Sequence, residues 1–306
     1  MERLELIEPG DGVDYNQSRV QLYITCHRKY WWCFDQNLVP DRPRWPLVTG
    51  TAVHAGLAAL SGGATPADAV KTAVTKFNSE LPARRLPGED EIITEQLEMI
   101  QRMLPAYAEQ WAGDTVYTPL GIEASGRVEV GRDTKIFLIF RLDKLVIWNK
   151  QLWIQDHKTA GRLDMRDLMK YEMDIQMSAY IYGASVVLGK PVSGVIVDLL
   201  VKTKTPQFHR ELFNRSDDDL RTFEEEFIEV VRDIEARRYR VLQGEDPKVL
   251  FYKDTSQCLQ YGKCPYRDLC LRDNPAQRMM FAKRAPDYVD DLTLLHKADP
   301  EVSDAG

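Results

Sequence analysis

Two runs rich in Val, Ile, Leu, Phe and Trp, residues 136–148 and 151–158, are separated only by Asn149 and Lys150. A two-residue connector between strand-like runs marks a tight hairpin, and a hairpin fixes its own register. Closing it there sets Trp148 opposite Gln151, Ile147 opposite Leu152, Leu145 opposite Ile154 and Asp143 opposite Asp156, with Arg141 opposite Lys158. Side chains alternate between the faces of a strand. One face therefore carries the apolar patch Leu145, Ile147, Leu152 and Ile154, and beyond it Asp143, Asp156 and Lys158. Like charges directly opposite each other destabilise a sheet, so two facing carboxylates beside an apolar patch need a reason. A divalent cation, which takes oxygen ligands, is one. A register slipped by one residue, or a pair of solvated carboxylates, is the plainer alternative.

The remaining pattern frames this hairpin. Residues 18–34 read as a helix with Asn16 or Ser18 as N-cap. After Pro40, Pro43 and Pro46, Thr49-Gly50-Thr51 opens a short helix carrying His54. Residues 65–80 and 89–111 read as helices, the second with Leu97, Ile100, Leu104, Tyr107 and Trp111 on one face and Pro105 as a kink. Residues 117–158 read as strands, 167–188 as a helix ending at Gly189, 193–202 and 207–213 as two more strands, and 216–239 as an amphipathic helix with an acidic first turn. The expected fold is α/β, a central mixed β-sheet flanked by helices. In chain order, residues 1–115 form a helical N-terminal part, 116–245 the core, 246–284 a cysteine-rich segment and 285–306 a flexible tail.

The chain of 306 residues has room for one large domain or two small ones, and 44% hydrophobic with 28% charged residues is ordinary for a globular protein. No apolar run approaches the roughly 18–20 residues of a membrane helix, and the acidic start Met1-Glu2-Arg3-Leu4-Glu5 lacks a secretory core. A cytoplasmic location without a membrane partner is expected. A net charge of −7 speaks against binding nucleic acid by charge alone; it speaks less against an enzyme that must carry carboxylates. The basic clusters Arg28-Lys29, Arg84-Arg85, Arg237-Arg238 with Arg240, and Arg278 with Lys283-Arg284 read first as solvated surface.

Asp143 followed by Asp156-His157-Lys158 on the next strand resembles the signature of the PD-(D/E)XK nuclease superfamily. Gly50-Thr51-Ala52-Val53-His54 resembles the helical G-x-x-x-H element of its RecB-type branch, which includes AddB-like nucleases, phage exonucleases and CRISPR-adaptation nucleases. Gln176-Met177-Ser178-Ala179-Tyr180 resembles that branch's Q-x-x-x-Y element, with glutamine and tyrosine on one helical face. Phe140 departs from the pattern, which often has glycine there. The resemblance implies a metal-dependent DNA exonuclease using Mg2+ or Mn2+, since phosphodiester hydrolysis builds negative charge that metal ions stabilise. It implies His54, Asp143 and Asp156 as metal ligands, joined by the backbone carbonyl of His157. Lys158 positions or activates water, and Gln176 and Tyr180 orient the lysine, the strand or the substrate. Glu123 and Arg141 are supporting candidates around this set.

Five cysteines cluster near the two ends, at Cys26, Cys33, Cys258, Cys264 and Cys270. Cys258-x5-Cys264-Pro265-Tyr266-Arg267-Asp268-Leu269-Cys270 resembles the C-terminal cysteine segment of the same nucleases, and Cys26 matches their distant fourth ligand. The resemblance implies a 4Fe–4S cluster held by Cys26, Cys258, Cys264 and Cys270, the usual four thiolates. The first C-terminal gap is five residues where relatives often have two, and His27 stands where many have proline. By analogy with a cross-link, closing so long a loop stabilises a fold by roughly 5 kcal/mol. Cys33 reads as a buried thiol, with the fourth-ligand role as its alternative. Zinc favours C-x2–4-C pairs, which are absent.

Gly183 to Pro191 has the glycines of a phosphate loop at the wrong spacing, with proline where Ser or Thr must stand. Without a motor domain, unwinding belongs to a partner: a helicase, with a recombinase or single-strand annealing protein as further candidates. The leading expectation is an exonuclease acting at DNA ends in recombination, repair or phage DNA metabolism, bacterial or phage-encoded. The alternatives are a CRISPR-adaptation nuclease trimming pre-spacers and, from another class, a non-catalytic iron–sulfur scaffold that binds nucleic acid.

Overall fold

The structure, a computed structural model, describes residues 12–42, 44–82, 85–112, 117–260 and 262–283. The acidic N-terminal start, Arg84, Arg284 and the expected tail 285–306 lie outside the described residues.

The chain opens with β1 (Val13–Tyr15) and α1 (Gln17–Thr25), the latter capped by Asn16, whose side chain accepts the Arg19 N–H at 2.8 Å. The helix expected over 18–34 is broken. Cys26 is extended, and beyond it come α2 (His27–Tyr30) and a π-helical turn, Trp31–Asp35. The cause is tertiary: the Cys26 sulfur accepts the Asp254 N–H at 3.4 Å, and the Arg28 N–H bonds the Tyr252 carbonyl instead of the helix. β2 (Leu38–Pro40) follows.

α3 (Trp45–Ser61) carries His54 and starts a turn earlier than Thr49. Pro46 lies in its first turn, where the missing N–H would have had no intrahelical partner. α4 (Pro66–Ser79) is capped by Thr65, and α5 (Glu89–Gln110) begins with three acidic residues and holds Pro105 inside it. Three strands follow, β3 (Thr118–Glu129), β4 (Ile136–Trp148) and β5 (Gln151–Ala160). Asn149 and Lys150 join the last two at φ 48° and 62°, the positive values a two-residue hairpin turn requires.

The helix expected over 167–188 is also divided. α6 (Met165–Met169) and a 3-10 turn, Lys170–Glu172, precede α7 (Ile175–Leu188). Asp174 restarts the helix by accepting the Gln176 N–H at 2.8 Å, and Gly189 ends it at φ 62°. β6 (Val192–Val201), β7 (Gln207–Phe213) and α8 (Asp217–Leu242) come next. Short helical turns then lead to β8 (Phe281–Lys283), which pairs antiparallel with β2.

The strand order is β1-β4-β5-β6-β7, with β3 also on β4. β4 and β5 are antiparallel, β5 and β6 parallel, β6 and β7 antiparallel. This is the mixed sheet flanked by helices that the sequence pattern implied. The hairpin register runs from Trp148 opposite Gln151 to Lys144 opposite Gln155, as expected, but the ladder stops there: the further pairs expected, Asp143 with Asp156 and Arg141 with Lys158, are not formed, because the Asp143 carboxylate accepts the His157 N–H instead.

The described residues form two compact units that do not follow chain order. One draws on those up to Arg42, Arg127–Phe140 and those from Asp217 on; the other lies between Pro43 and Gly126 and in Arg141–Ser216. In the first unit α1 is tied to α8 by Tyr23 donating to Asp233, Tyr15 donates to Glu235, and Arg238 pairs with buried Asp35 at 2.8 Å. In the second, α3, α4 and α5 share a core of Ala52, Val53, Leu57, Phe77, Ile100, Met103 and Leu104 that reaches Leu200 on β6. Among the described residues no helix is long and apolar enough to cross a membrane.

Candidate active site

The site lies within the second unit, where β4 and β5 part. Past the Lys144–Gln155 pair, the Asp143 carboxylate takes over as partner of β5: its Oδ2 accepts the His157 backbone N–H at 2.7 Å. The His157 ring Nδ1 stands 3.3 Å from the same oxygen, and the His54 ring Nδ1, from α3, stands 3.2 Å from Oδ1. Burial alone would raise the Asp143 carboxyl, but the bonds to His157 and His54 outweigh it and hold it well below the usual carboxylate range. The His54 ring responds in kind: burial would lower it, and the bond to Asp143 raises it.

Asp156 and Lys158 share the opposite face of β5 from the His157 ring, because their numbers differ from it by one. Lys158 Nζ lies 2.7 Å from Asp156 Oδ2, with the Asp156 side chain 2% exposed. Burial raises the Asp156 carboxyl, Lys158 offsets part of the rise, and the Asp143 charge adds to it. Burial would lower the Lys158 ammonium, but Asp156 overrides this and raises it.

α7 completes the set. Lys158 Nζ donates to Gln176 Oε1 at 2.9 Å, and Gln176 Nε2 donates to the Tyr180 hydroxyl at 2.7 Å. Residues four apart on a helix stack on one face, which lets one side chain hold the lysine and the other hold the amide. Burial, then the Asp156 and Asp143 charges, raises Tyr180 well above a free phenol and keeps it neutral. Glu123 sits on β3 at φ 50°; burial, reinforced by the Asp143 charge, raises its carboxyl. Arg141 is exposed and its Nε donates to Ser125 Oγ at 3.3 Å; it touches neither aspartate among the described contacts.

The structure thus brings together His54, Asp143, Asp156, His157, Lys158, Gln176 and Tyr180. Four residues the sequence reading did not single out for the site stand behind it: Tyr107, Gln155, Asp198 and Arg210. The one available signal was an aspartate inside the otherwise apolar run 192–201.

Among the described residues, no group of three or more His, Cys, Asp or Glu side chains is gathered closely enough to hold a metal ion. The expected ligands are instead engaged with each other and with Lys158. Their chemistry still suits a hard divalent cation. The charges of Asp143 and Asp156 act on each other across the site, and the Asp143 charge also reaches the half-buried Glu123, while Lys158 is the ammonium paired with Asp156.

The cysteines belong to the first unit, and no disulfide joins any of them. Cys264 feels Cys258 and Cys26, and Cys270 feels Cys26 and Cys264; burial raises both thiols first, and these neighbours add to the rise. The Trp32 indole N–H donates to the Cys270 sulfur at 3.4 Å. Cys33 is half-buried rather than buried. Among the described residues, several members of the basic clusters are already paired within the fold. Arg28 is buried and donates to the Phe251 carbonyl at 2.7 Å, Arg237 pairs with Asp233 at 3.0 Å, Arg238 with Asp35, and Arg240 with Glu245 at 2.6 Å.

Among curated proteins, none matches this sequence. A crystal structure from Eubacterium rectale named "Putative exonuclease" is similar at a TM-score of 0.48 and 13% identity, covering 95% of this chain and 99% of that one. The crystal structure of SSO0001 is similar at a TM-score of 0.35 and 10% identity, covering 74% of this chain and 78% of that one. Residues 15–271 match the sequence profile of the PD-(D/E)XK nuclease superfamily, and the chain belongs to that superfamily.

Proposed function

We propose that this chain is a Mg2+- or Mn2+-dependent DNA exonuclease that hydrolyses phosphodiester bonds at DNA ends, in recombination, repair or phage DNA metabolism. The observation that carries the reading is the buried Asp156–Lys158 pair at 2.7 Å, on the strand beside Asp143 and coupled to it by charge. His54, Asp143, Asp156 and the His157 carbonyl would hold the metal. When bound, it would stabilise the negative charge that develops on the phosphoryl oxygens. Lys158, kept charged by Asp156 and aimed by Gln176, supplies a fixed cation to the attacking water or the transition state. Tyr180 stays neutral and holds the Gln176 amide. A helicase, recombinase or single-strand annealing protein would deliver the ends.

End-labelled single- and double-stranded DNA, incubated with Mg2+ or Mn2+, tests this. Wild type should shorten the label progressively, EDTA should stop it, and Lys158→Ala should slow it by about 100-fold or more. Label loss unchanged by EDTA, or equal in Lys158→Ala, would defeat the proposal.

We further propose that Cys26, Cys258, Cys264 and Cys270 hold a 4Fe–4S cluster in the first unit. The N–H bonds to the Cys26 and Cys270 sulfurs support it, since such bonds stabilise thiolate charge. Protein purified without oxygen should be brown, absorb broadly near about 400 nm and carry about four irons. Cys264→Ser should lose the colour. A colourless wild type without iron would rule the cluster out.

A further inference from the structure

The helices between His54 and Asp143 are the part of the chain that the nuclease motifs leave unexplained. α5 brings Tyr107 onto the reverse side of β5, where the hydroxyl donates to Asp198 Oδ2 at 2.7 Å. Gln155 Nε2 and Arg210 Nε donate to that same oxygen at 2.7 and 2.8 Å. Arg210 also stacks 3.5 Å over the Trp111 ring, just past the end of α5. Tyr107, Gln155 and Asp198 are buried. Arg210 Nη2 and Gln155 Nε2 also donate to the Tyr107 oxygen, at 3.4 and 3.5 Å, so it is held from several directions.

The same oxygen lies 3.3 Å from His157 Nε2. The other nitrogen of that ring, Nδ1, lies 3.3 Å from Asp143 Oδ2. The His157 side chain is 4% exposed, so its ring has no water shell to reorient it. The His157 ring thus lies between a rigid phenol on α5 and a site carboxylate on β4, within 3.3 Å of each. Its backbone N–H grips the same carboxylate oxygen at 2.7 Å.

We infer that Tyr107, locked by Asp198 and Arg210, is a positioning residue that acts through the His157 ring to fix the Asp143 carboxylate for metal binding. The inference rests on the metal-dependent reading above and gives α5 a role in it. Groups that orient a ligand from behind typically change metal affinity or activity by about 10–100-fold when removed. A hydroxyl that only filled the core would change stability and leave metal affinity alone.

The test is Mn2+ binding to full-length protein without DNA, read from the EPR signal of free Mn2+, alongside thermal melts. Tyr107→Phe keeps the ring and removes the oxygen; it should weaken Mn2+ binding by about tenfold. His157→Phe should weaken it similarly. The double variant should be no weaker than His157→Phe alone, because the tyrosine acts only through the histidine. The Mn2+ concentration giving half-maximal DNA cleavage should move by the same factors. If Tyr107→Phe does not fold, Asp198→Asn, which loosens the Tyr107 hydroxyl and leaves the His157 ring in place, carries the test: it should weaken Mn2+ binding, and unchanged affinity would overturn the inference. Unchanged Mn2+ affinity with only a lower melting temperature, or losses that multiply in the double variant, would overturn the inference while leaving the nuclease reading standing. A wild type that binds no Mn2+ and cuts no DNA would remove both.

Discussion

Asp156→Ala is expected to abolish cleavage, by about a thousandfold or more, in a chain that still folds. Three effects converge on this one carboxylate. It is a proposed metal ligand, it is 2% exposed, and it keeps the Lys158 ammonium charged against the pull of burial. Losing a metal ligand and a preorganised cation together removes more transition-state stabilisation than either single donor, whose loss costs about 100- to 1,000-fold. Breaking a buried pair also strands its partner, at a cost of about 3–5 kcal/mol when both groups are fully buried. Here Lys158 is 23% exposed and keeps Gln176 as acceptor, so the stability loss should fall below that range. Asp156→Asn keeps the volume and should show the same loss of activity with a smaller stability cost. Circular dichroism and melting curves measured beside end-labelled DNA cleavage separate the two quantities. Full activity in either variant would end the assignment.

Gly194→Ala is expected to be the most damaging small substitution in the sheet, lowering stability by about 3 kcal/mol or more. A methyl group there would overlap the Phe213 carbonyl oxygen on β7 and stand 2.8 Å from the Trp153 ring. The first obstacle is backbone in a paired strand, which cannot turn aside as a flexible side chain can. Gly50→Ala is the contrast. Its added carbon would meet only Thr159 Oγ1, at an ordinary 3.7 Å, and alanine suits the interior of α3 better than glycine by up to about 1 kcal/mol. Urea unfolding of the two variants should therefore move in opposite directions. Equal stability of Gly194→Ala and wild type would show that β6 and β7 can separate to admit the methyl.

The glycine that the G-x-x-x-H element marks is thus the tolerant one, and the glycine that no motif marks is the critical one. A motif reports residue types at a spacing; it does not report what stands opposite a backbone. The same limit explains the two broken helices. The 18–34 and 167–188 runs have helical periodicity, yet Cys26 is drawn out of its helix by the Asp254 N–H, and Asp174 starts α7 afresh as its N-cap.

Local chemistry was enough to determine the hairpin, its register from the turn to Lys144 and Gln155, most of the longer helices and strands, and the shared face of Asp156 and Lys158. Turn geometry and the two-residue alternation of a strand act between near neighbours, so they can be read along the chain. What packing alone decided is how the carboxylates are held. Asp143 leaves its cross-strand position to grip the His157 N–H, and Tyr107 meets Asp198 from 91 positions away. Buried polar groups must find partners wherever the folded chain places them, and that choice is made by helices laid against a sheet, where no spacing in the sequence records it.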